Sequence, residues 1–169
     1  FALAAAFTIS RGSKTEAAVL TCMISQEGHV GRGECVPYAR YGETIESVRA
    51  EITHMSSDIA NGMSRHQLLA AMKPGAARNA IDCALWDLEA KTSGVRAFTH
   101  LDATTPRPVE TAYTIPLGEP EAMAAQARKH SGRPLLKVKV GTSDDTSRIE
   151  AVTASAPQSR IILDANEGW

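Results

Sequence analysis

The length, composition and charge of this chain are those of an ordinary globular protein. Its 169 residues are 43% hydrophobic and 22% charged, which suits one domain or two small ones. The formal net charge of −1, with no basic stripe interleaved with aromatic residues, excludes a nucleic-acid-binding surface. No apolar run approaches the roughly 20 residues of a membrane-spanning helix, so we expect no membrane partner.

The cysteines indicate a reducing compartment. Cys22, Cys35 and Cys83 are odd in number and lack the spacing of metal ligands. We expect reduced, buried, structural thiols and a cytoplasmic location. No secretory segment precedes the first predicted strand, and the chain opens at Phe1 without Met, so we expect some N-terminal residues to be absent.

Residues 1–105 predict antiparallel strands followed by helices. Apolar residues alternate over 1–9, and apolar runs follow at 17–24 and 30–36, so a three-stranded antiparallel meander is predicted. Helices are predicted at 43–60, 64–72 and 76–93, each followed by a glycine stop. The last helix has one apolar face at helical spacing, which predicts core packing. This face comprises Ala77, Ala80, Ile81, Ala84, Leu85 and Leu88.

A domain boundary is predicted near residue 105. Residues 102–108 contain two prolines and no periodicity, which favours a linker. Strands and helices then alternate, which predicts parallel strands in successive strand–helix–strand units. The predicted elements are strand 111–117, helix 120–129, strand 135–140, a helix between Asp144 and Pro157, and strand 161–163. Three such strands cannot close a barrel of eight, so we infer part of a longer protein.

Polar side chains occur at the ends of two neighbouring predicted strands. Lys137 and Lys139 alternate with apolar residues and share one face, and Asp164 and Asn166 do the same on the next strand. Two ammonium groups and a carboxylate are therefore predicted to converge. Because lysine is rarely buried without a partner, this arrangement predicts an anion or a metal centre nearby. The alternative, lysines that protect a sheet edge, is less favoured for parallel strands covered on both faces.

One glycine-rich segment does not predict a phosphate site. Gly-His-Val-Gly-Arg-Gly at 28–33 precedes no helix, which favours a hairpin turn. The five histidines show no metal-ligand spacing.

Two motifs follow the predicted α+β region: Leu-Lys-Val-Lys-Val-Gly at 136–141 and Leu-Asp-Ala-Asn-Glu-Gly-Trp at 163–169. This order of segments resembles the enolase superfamily, in the subgroup of muconate-lactonising enzymes. The segments at 33–43, 75–88 and 111–114 resemble dipeptide epimerases of the L-Ala-D/L-Glu type. The resemblance covers nearly the whole chain.

The resemblance implies an α/β fold. An α+β N-terminal capping domain at 1–105 would precede the first three strands of an incomplete (β/α) TIM-type barrel at 106–169. It also implies an isomerase, a racemase or epimerase acting on amino acid derivatives. Such an enzyme would use Mg²⁺ to epimerise an L-Ala-D/L-Glu dipeptide from murein peptides by α-proton abstraction through an enolate intermediate.

Other functions stay open at this point. The chain could belong to a cycloisomerase or an o-succinylbenzoate synthase, or be a non-catalytic truncated homologue that acts as a binding or assembly module. The implied partner is a small dipeptide, and a homo-oligomer is left open.

The resemblance also implies roles for individual residues. Lys139 would be the catalytic base, and Lys137 a second catalytic lysine that helps to hold the substrate carboxylate. Asp164 would be a Mg²⁺ ligand. Asn166 would orient a ligand by hydrogen bonding, although a strand-end cap is an equal alternative.

Two further residues are expected to bind substrate. Arg11 would contact a side-chain carboxylate of the substrate, unless it is a solvated hairpin arginine. Thr114 would contact the dipeptide, unless it is only a β-branched strand residue. The remaining metal carboxylates and the lysine for the opposite face belong to later barrel strands in this family. We therefore expect the 169-residue chain alone to be inactive.

Overall fold

The computed structural model describes residues 1–101 and 106–169. The strands are β1 Ala2–Ile9, β2 Gly12–Glu16, β3 Leu20–Gln26, β4 His29–Cys35, β5 Tyr113–Ile115, β6 Leu135–Lys139 and β7 Arg160–Asp164. The helices are α1 Ile45–His54, α2 Ser56–Ala60, α3 Arg65–Ala71, α4 Ala76–Ser93, α5 Pro120–Lys129 and α6 Asp145–Ser155. These elements confirm the predicted fold class, an α+β region followed by a parallel three-stranded sheet.

The chain divides into two compact units. The first comprises Phe1 and Ala17–Pro106, and the second comprises Ala2–Glu16 and Arg107–Trp169. The hairpin of β1 and β2 thus groups with the second unit, although the predicted capping domain included it. The predicted boundary at residue 105 and most of the predicted linker lie outside the described residues.

The predicted three-stranded meander is wrong. β1 pairs with β2 in one two-stranded antiparallel sheet, and β3 pairs with β4 in another. The sequence of β2, Gly-Ser-Lys-Thr-Glu, has no apolar residue and is exposed throughout. Hydrophobic periodicity therefore could not reveal this strand, which forms through backbone pairing.

The first unit is built on close packing of β4 against α4. A Cβ atom on Gly31 would lie 2.1 Å from the Ala84 carbonyl oxygen, and one on Gly33 would lie 2.0 Å from that of Ala80. Only glycine allows this approach of strand and helix. The glycine-rich segment at 28–33 is thus a hairpin, as predicted, whose strand also packs against a helix.

Polar caps fix the helices of the first unit. Thr44 and Ser47 form a reciprocal capping box at the start of α1, and Ser64 and Gln67 do the same for α3. The Glu43 carboxylate accepts hydrogen bonds from the backbone N–H groups of Tyr38 and Ala76, at 2.9 and 2.7 Å. The core that these elements enclose comprises Cys22, Cys35, Val48, Met55, Leu68, Ala76, Ala77, Ala80, Ile81 and Ala84.

The cysteine prediction is correct for two residues and wrong for the third. Cys22 and Cys35 are buried free thiols, and burial raises the pKa of each. Cys83 is free but exposed, because α4 turns it away from the face on which Ala80 and Ala84 are buried.

The second unit is a parallel sheet in the order β5–β6–β7, covered by helices. Residues that face α5 and α6 are fully apolar and buried, as the alternation predicts. This core comprises Ile115, Met123, Ala127, Leu136, Val138, Val140, Val152 and Ala156. The β1–β2 hairpin joins the unit through hydrogen bonds from Leu117 N to Thr8 O and from Ser10 Oγ to Ala165 O. In the part of the chain that the structure describes, no helix has the length and apolarity required to cross a membrane.

Candidate active site

Lys139 and Asp164 meet at the carboxyl ends of β6 and β7. They are register partners in the parallel ladder, and Lys139 Nζ lies 2.7 Å from Asp164 Oδ2. Residue Lys139 is only 6% exposed, while the Asp164 side chain is 23% exposed. A buried ammonium requires such a partner, because its desolvation is costly without one.

Lys137 reaches the same carboxylate oxygen from two residues earlier on β6. Its Nζ lies 2.7 Å from Asp164 Oδ2, and its side chain is 37% exposed. Hydrogen bonds from Lys137, from Lys139 and from the Asn166 backbone N–H hold the pKa of the Asp164 carboxyl well below its usual range. The predicted convergence of two ammonium groups and one carboxylate is confirmed by these distances.

Asn166 completes the surroundings of the Lys139 ammonium. Its side-chain oxygen accepts a hydrogen bond from Lys139 Nζ at 2.6 Å, and its backbone N–H donates to Asp164 Oδ1 at 2.9 Å. Its φ of 48° lies in the left-handed region, which asparagine tolerates better than most residues. The turn after β7 thus aims the amide oxygen back at β6.

Two further residues, one on β5 and one on β1, lie close to the two lysines. Thr114 is the register partner of Lys137, so the two side chains share a face of the sheet. The ring of Phe7, on β1, lies with its centroid 5.9 Å from Lys139 Nζ, within the range of a cation–π contact. Phe7 was not singled out from the sequence, because its apolar alternation predicts only a strand.

Arg11 lies in the turn between β1 and β2 and pairs with Glu167. Its Nη1 is 2.9 Å from Glu167 Oε2, and both side chains are partly exposed. The guanidinium is therefore held at the turn that follows β7, because its partner Glu167 directly follows Asn166 in the sequence. Glu167 was missed by the sequence interpretation, since contacts across more than 150 residues leave no local signal.

The oxygen donors of the site suit a hard cation only in part. Asp164 and Asn166 supply a carboxylate and an amide oxygen, the donor types that Mg²⁺ prefers. Among residues 1–101 and 106–169, no group of three or more His, Cys, Asp or Glu side chains is arranged to hold a metal ion. The residues present therefore fit one side of a Mg²⁺ site, and further ligands would have to come from other groups.

Comparison with known protein families decides the identity of the fold. Residues 2–101 match the family "Mandelate racemase / muconate lactonizing enzyme, N-terminal domain". The chain belongs to this family. It is thus a member of the enolase superfamily, as its motifs predicted.

The relatives of this enolase-superfamily chain include several dipeptide epimerases. It is 41% identical over 165 residues to L-Ala-D/L-Glu epimerase of Escherichia coli K12, which covers 96% of the chain and 51% of that enzyme. A crystal structure of an enolase family member from Agrobacterium tumefaciens with homology to dipeptide epimerases, with bound sodium and L-Ala-L-Glu, has a TM-score of 0.97 at 57% identity. That match covers 100% of this chain and 52% of the other.

A metal-bound relative has the same fold. Dipeptide epimerase from Cytophaga hutchinsonii, crystallised with Mg and D-Ala-L-Val, has a TM-score of 0.86 at 30% identity over 99% of this chain and 50% of its own. The chain spans about half the length of the curated relatives that it matches.

Proposed function

We propose that this chain belongs to a Mg²⁺-dependent dipeptide epimerase in which Lys139 is the base on one face of the substrate. The observation that carries the proposal is the placement of a buried Lys139 ammonium at the carboxyl end of β6, between Asp164 Oδ2 at 2.7 Å and Asn166 Oδ1 at 2.6 Å. In α/β barrels the carboxyl ends of strands are where active sites are built. The similarity to dipeptide epimerases supports the same reaction.

The chemical problem is the weak acidity of an α-proton beside a carboxylate. Its removal creates a second negative charge on the substrate, so catalysis depends on groups that stabilise this charge as it develops. A bound Mg²⁺ would supply Lewis acidity at the substrate carboxylate. Asp164 would be one of the residues that hold it, and the exposed Lys137 ammonium would add positive charge beside the carboxylate.

Proton transfer itself is assigned to Lys139. After the Lys139 ammonium has released a proton to solvent, the neutral amine would accept the α-proton at Nζ, leaving an enolate, and the resulting ammonium would return a proton to the same face. Asn166 would keep Nζ pointed at the substrate, because its side-chain oxygen is fixed by the turn after β7. A lysine held in this way loses little conformational freedom on substrate binding.

Substrate recognition is assigned to Arg11 and Thr114. The Arg11 guanidinium already binds a carboxylate, that of Glu167, and would bind the side-chain carboxylate of a glutamyl residue in the same manner. Thr114 shares the face of Lys137 and would contact the dipeptide. The proposed substrate is an Ala-Glu dipeptide from murein peptides in the cytoplasm, and Arg11 would bind its glutamyl carboxylate.

Epimerisation also requires a proton donor on the opposite face of the planar intermediate. The lysines of the described site lie on two positions of one strand, β6, so they serve a single face. We therefore propose that the 169-residue chain alone does not epimerise a dipeptide.

The proposal is tested by following epimerisation of L-Ala-L-Glu with the polypeptide at the full length that its gene encodes. Polarimetry should show Mg²⁺-dependent conversion by the wild type and a rate at least about 1000-fold lower for Lys139→Met, since the base is lost. Lys129→Met, which removes an exposed lysine from α5, should retain the wild-type rate. Full activity of Lys139→Met would refute the assignment.

A further inference from the structure

A single carboxylate oxygen connects the loops that follow β6 and β7. Asp145 Oδ2 accepts hydrogen bonds from the backbone N–H groups of Gly141 and Thr142 at 2.8 and 3.0 Å. It also accepts one from Trp169 Nε1 at 2.9 Å. Gly141 follows Lys139 by two residues, and Trp169 follows Asn166 by three.

The Asp145 carboxylate is buried and ionised. The residue is 9% exposed, and among the described residues its Oδ1 is the one buried side-chain nitrogen or oxygen atom without a hydrogen-bond partner. Burial raises the pKa of Asp145, but the hydrogen bonds from Trp169, Gly141 and Thr142 outweigh this effect and the pKa lies below its usual value. A charge is thus kept in a buried position at the start of α6.

Arg148 extends the connection to the loop after β5. It is 8% exposed, and its Nη1 lies 3.8 Å from Asp145 Oδ1 in an i,i+3 pair. Its Nε donates to the Gly118 carbonyl oxygen at 2.7 Å, and its Nη1 donates to Thr142 Oγ1. One buried ion pair therefore contacts the loops that follow all three strands of the parallel sheet.

The loops that Asp145 connects are packed tightly. Gly141 has a φ of +122°, and a Cβ there would lie 2.8 Å from the Ala165 carbonyl oxygen and 2.9 Å from Ser10 Cβ. A Cβ on Gly168 would likewise lie 2.9 Å from Gly141 Cα. Because the two loops are packed this closely, they cannot move relative to each other without losing hydrogen bonds to Asp145.

We propose that Asp145 is a positioning residue that fixes the distance between Lys139 on β6 and two groups at the end of the neighbouring strand, Asp164 on β7 and Asn166 just after it. It touches neither substrate nor metal in this role and acts through the loop backbone at Gly141 and through the Trp169 indole. The proposal deepens the proposed function and rests on it for its catalytic meaning. The proposal predicts how well the Lys139 side chain is buried, and this burial can be measured without measuring enzyme activity.

The experiment measures the rate at which each lysine of the full-length polypeptide is methylated by formaldehyde and dimethylamine borane. Peptide mass spectrometry follows the modification of each lysine over time. Lys139 should react slowly in the wild type, because it is buried and hydrogen bonded. In Asp145→Ala its rate should rise about tenfold, since three hydrogen bonds that hold the loops are lost. The exposed Lys129 serves as the internal reference for reagent and should be unchanged.

Two variants separate positioning from a general effect of charge or helix stability. Asp144→Ala removes the neighbouring exposed carboxylate, which caps no backbone group, and should leave the Lys139 rate at the wild-type value. Asp145→Asn keeps an acceptor oxygen and should raise the rate by less than about threefold. A wild-type Lys139 rate in folded Asp145→Ala, or an equal rise in Asp144→Ala, would overturn the proposal.

A third variant covers the case in which Asp145→Ala does not fold. Trp169→Phe removes one of the three donors and should raise the Lys139 rate by about threefold, whereas an unchanged rate would count against the proposal. In the same variants, loss of positioning should lower kcat more than it raises KM. If the wild type has no epimerase activity but the methylation pattern holds, the proposed function fails while the positioning role of Asp145 stands.

Discussion

Lys139 and Asp164 are register partners on neighbouring parallel strands and are joined by a 2.7 Å ion pair at the strand ends. Lys137 reaches the same carboxylate oxygen, so the group combines two positive charges with one negative charge. The excess positive charge suits an anionic substrate, and the carboxylate suits a cation. This combination of opposite charges is what removal of a proton beside a substrate carboxylate requires.

We predict that the stability difference between the wild type and Asp164→Asn shrinks in acid. In the folded protein the pKa of Asp164 is held below its ordinary value of 3.8 by Lys137, Lys139 and the Asn166 amide. A carboxyl with a lowered pKa contributes stability above the ordinary value, and this contribution is lost as the pH falls through the folded value. Unfolding free energies from urea titrations should therefore differ most at pH 7, and the difference should begin to shrink below about pH 4 and keep shrinking as the pH falls towards the lowered folded pKa.

Lys129→Met provides the control for this measurement. It removes a lysine that lies outside the cluster, so its unfolding curve should run parallel to the wild-type curve at every pH. A constant gap between Asp164→Asn and the wild type down to the lowest pH would contradict the ion-pair account.

Gly33→Ala should destabilise the first unit strongly. The added Cβ would lie 2.0 Å from the Ala80 carbonyl oxygen, so β4 and α4 would have to move apart. Overpacking of this kind costs about 1–3 kcal/mol of unfolding free energy, or more against backbone. Thermal or urea unfolding measures it, with Gly132→Ala as the matched control, because a Cβ there meets no atom within 4 Å. Equal stability of the two variants would mean that the strand does not pack as described.

Arg11→Met should weaken recognition of an acidic dipeptide selectively. A charge-assisted hydrogen bond to a carboxylate is lost, so KM for L-Ala-L-Glu should rise about tenfold, while KM for the neutral L-Ala-L-Gln should change little. Steady-state kinetics with both dipeptides make the comparison within one protein. An equal change for both substrates would indicate that Arg11 only stabilises the turn with Glu167.

The elements with strong periodicity were predictable from the sequence. α4 and α5 have the predicted bounds, and β6 and β7 occur in the predicted parallel arrangement. The alternation of Lys137 and Lys139 with buried valines also predicted their shared face, because side-chain direction in a strand is a local property. The roles of these lysines stay predictions, as do those of Arg11 and Thr114.

Apart from the convergence of the two lysines with Asp164, long-range contacts were not predictable. β2 lacks apolar residues, so only its pairing with β1 defines it. From the sequence, Asp145 is expected only to be a favourable acidic residue at the start of a helix. In the structure its oxygen accepts a hydrogen bond from the indole of Trp169, 24 residues later. Local patterns carry no information on such partners, which depend on how strands and loops are placed side by side.

The most direct test of the central claim is the exchange of the substrate α-proton in D₂O. In ¹H NMR, the full-length wild type with Mg²⁺ should replace the α-proton of the glutamyl residue of L-Ala-L-Glu by deuterium and form L-Ala-D-Glu. We predict that Lys139→Met loses exchange on the face that Lys139 serves, with both Lys129→Met and the wild type exchanging fully. Exchange by Lys139→Met at the wild-type rate for both epimers would contradict the account.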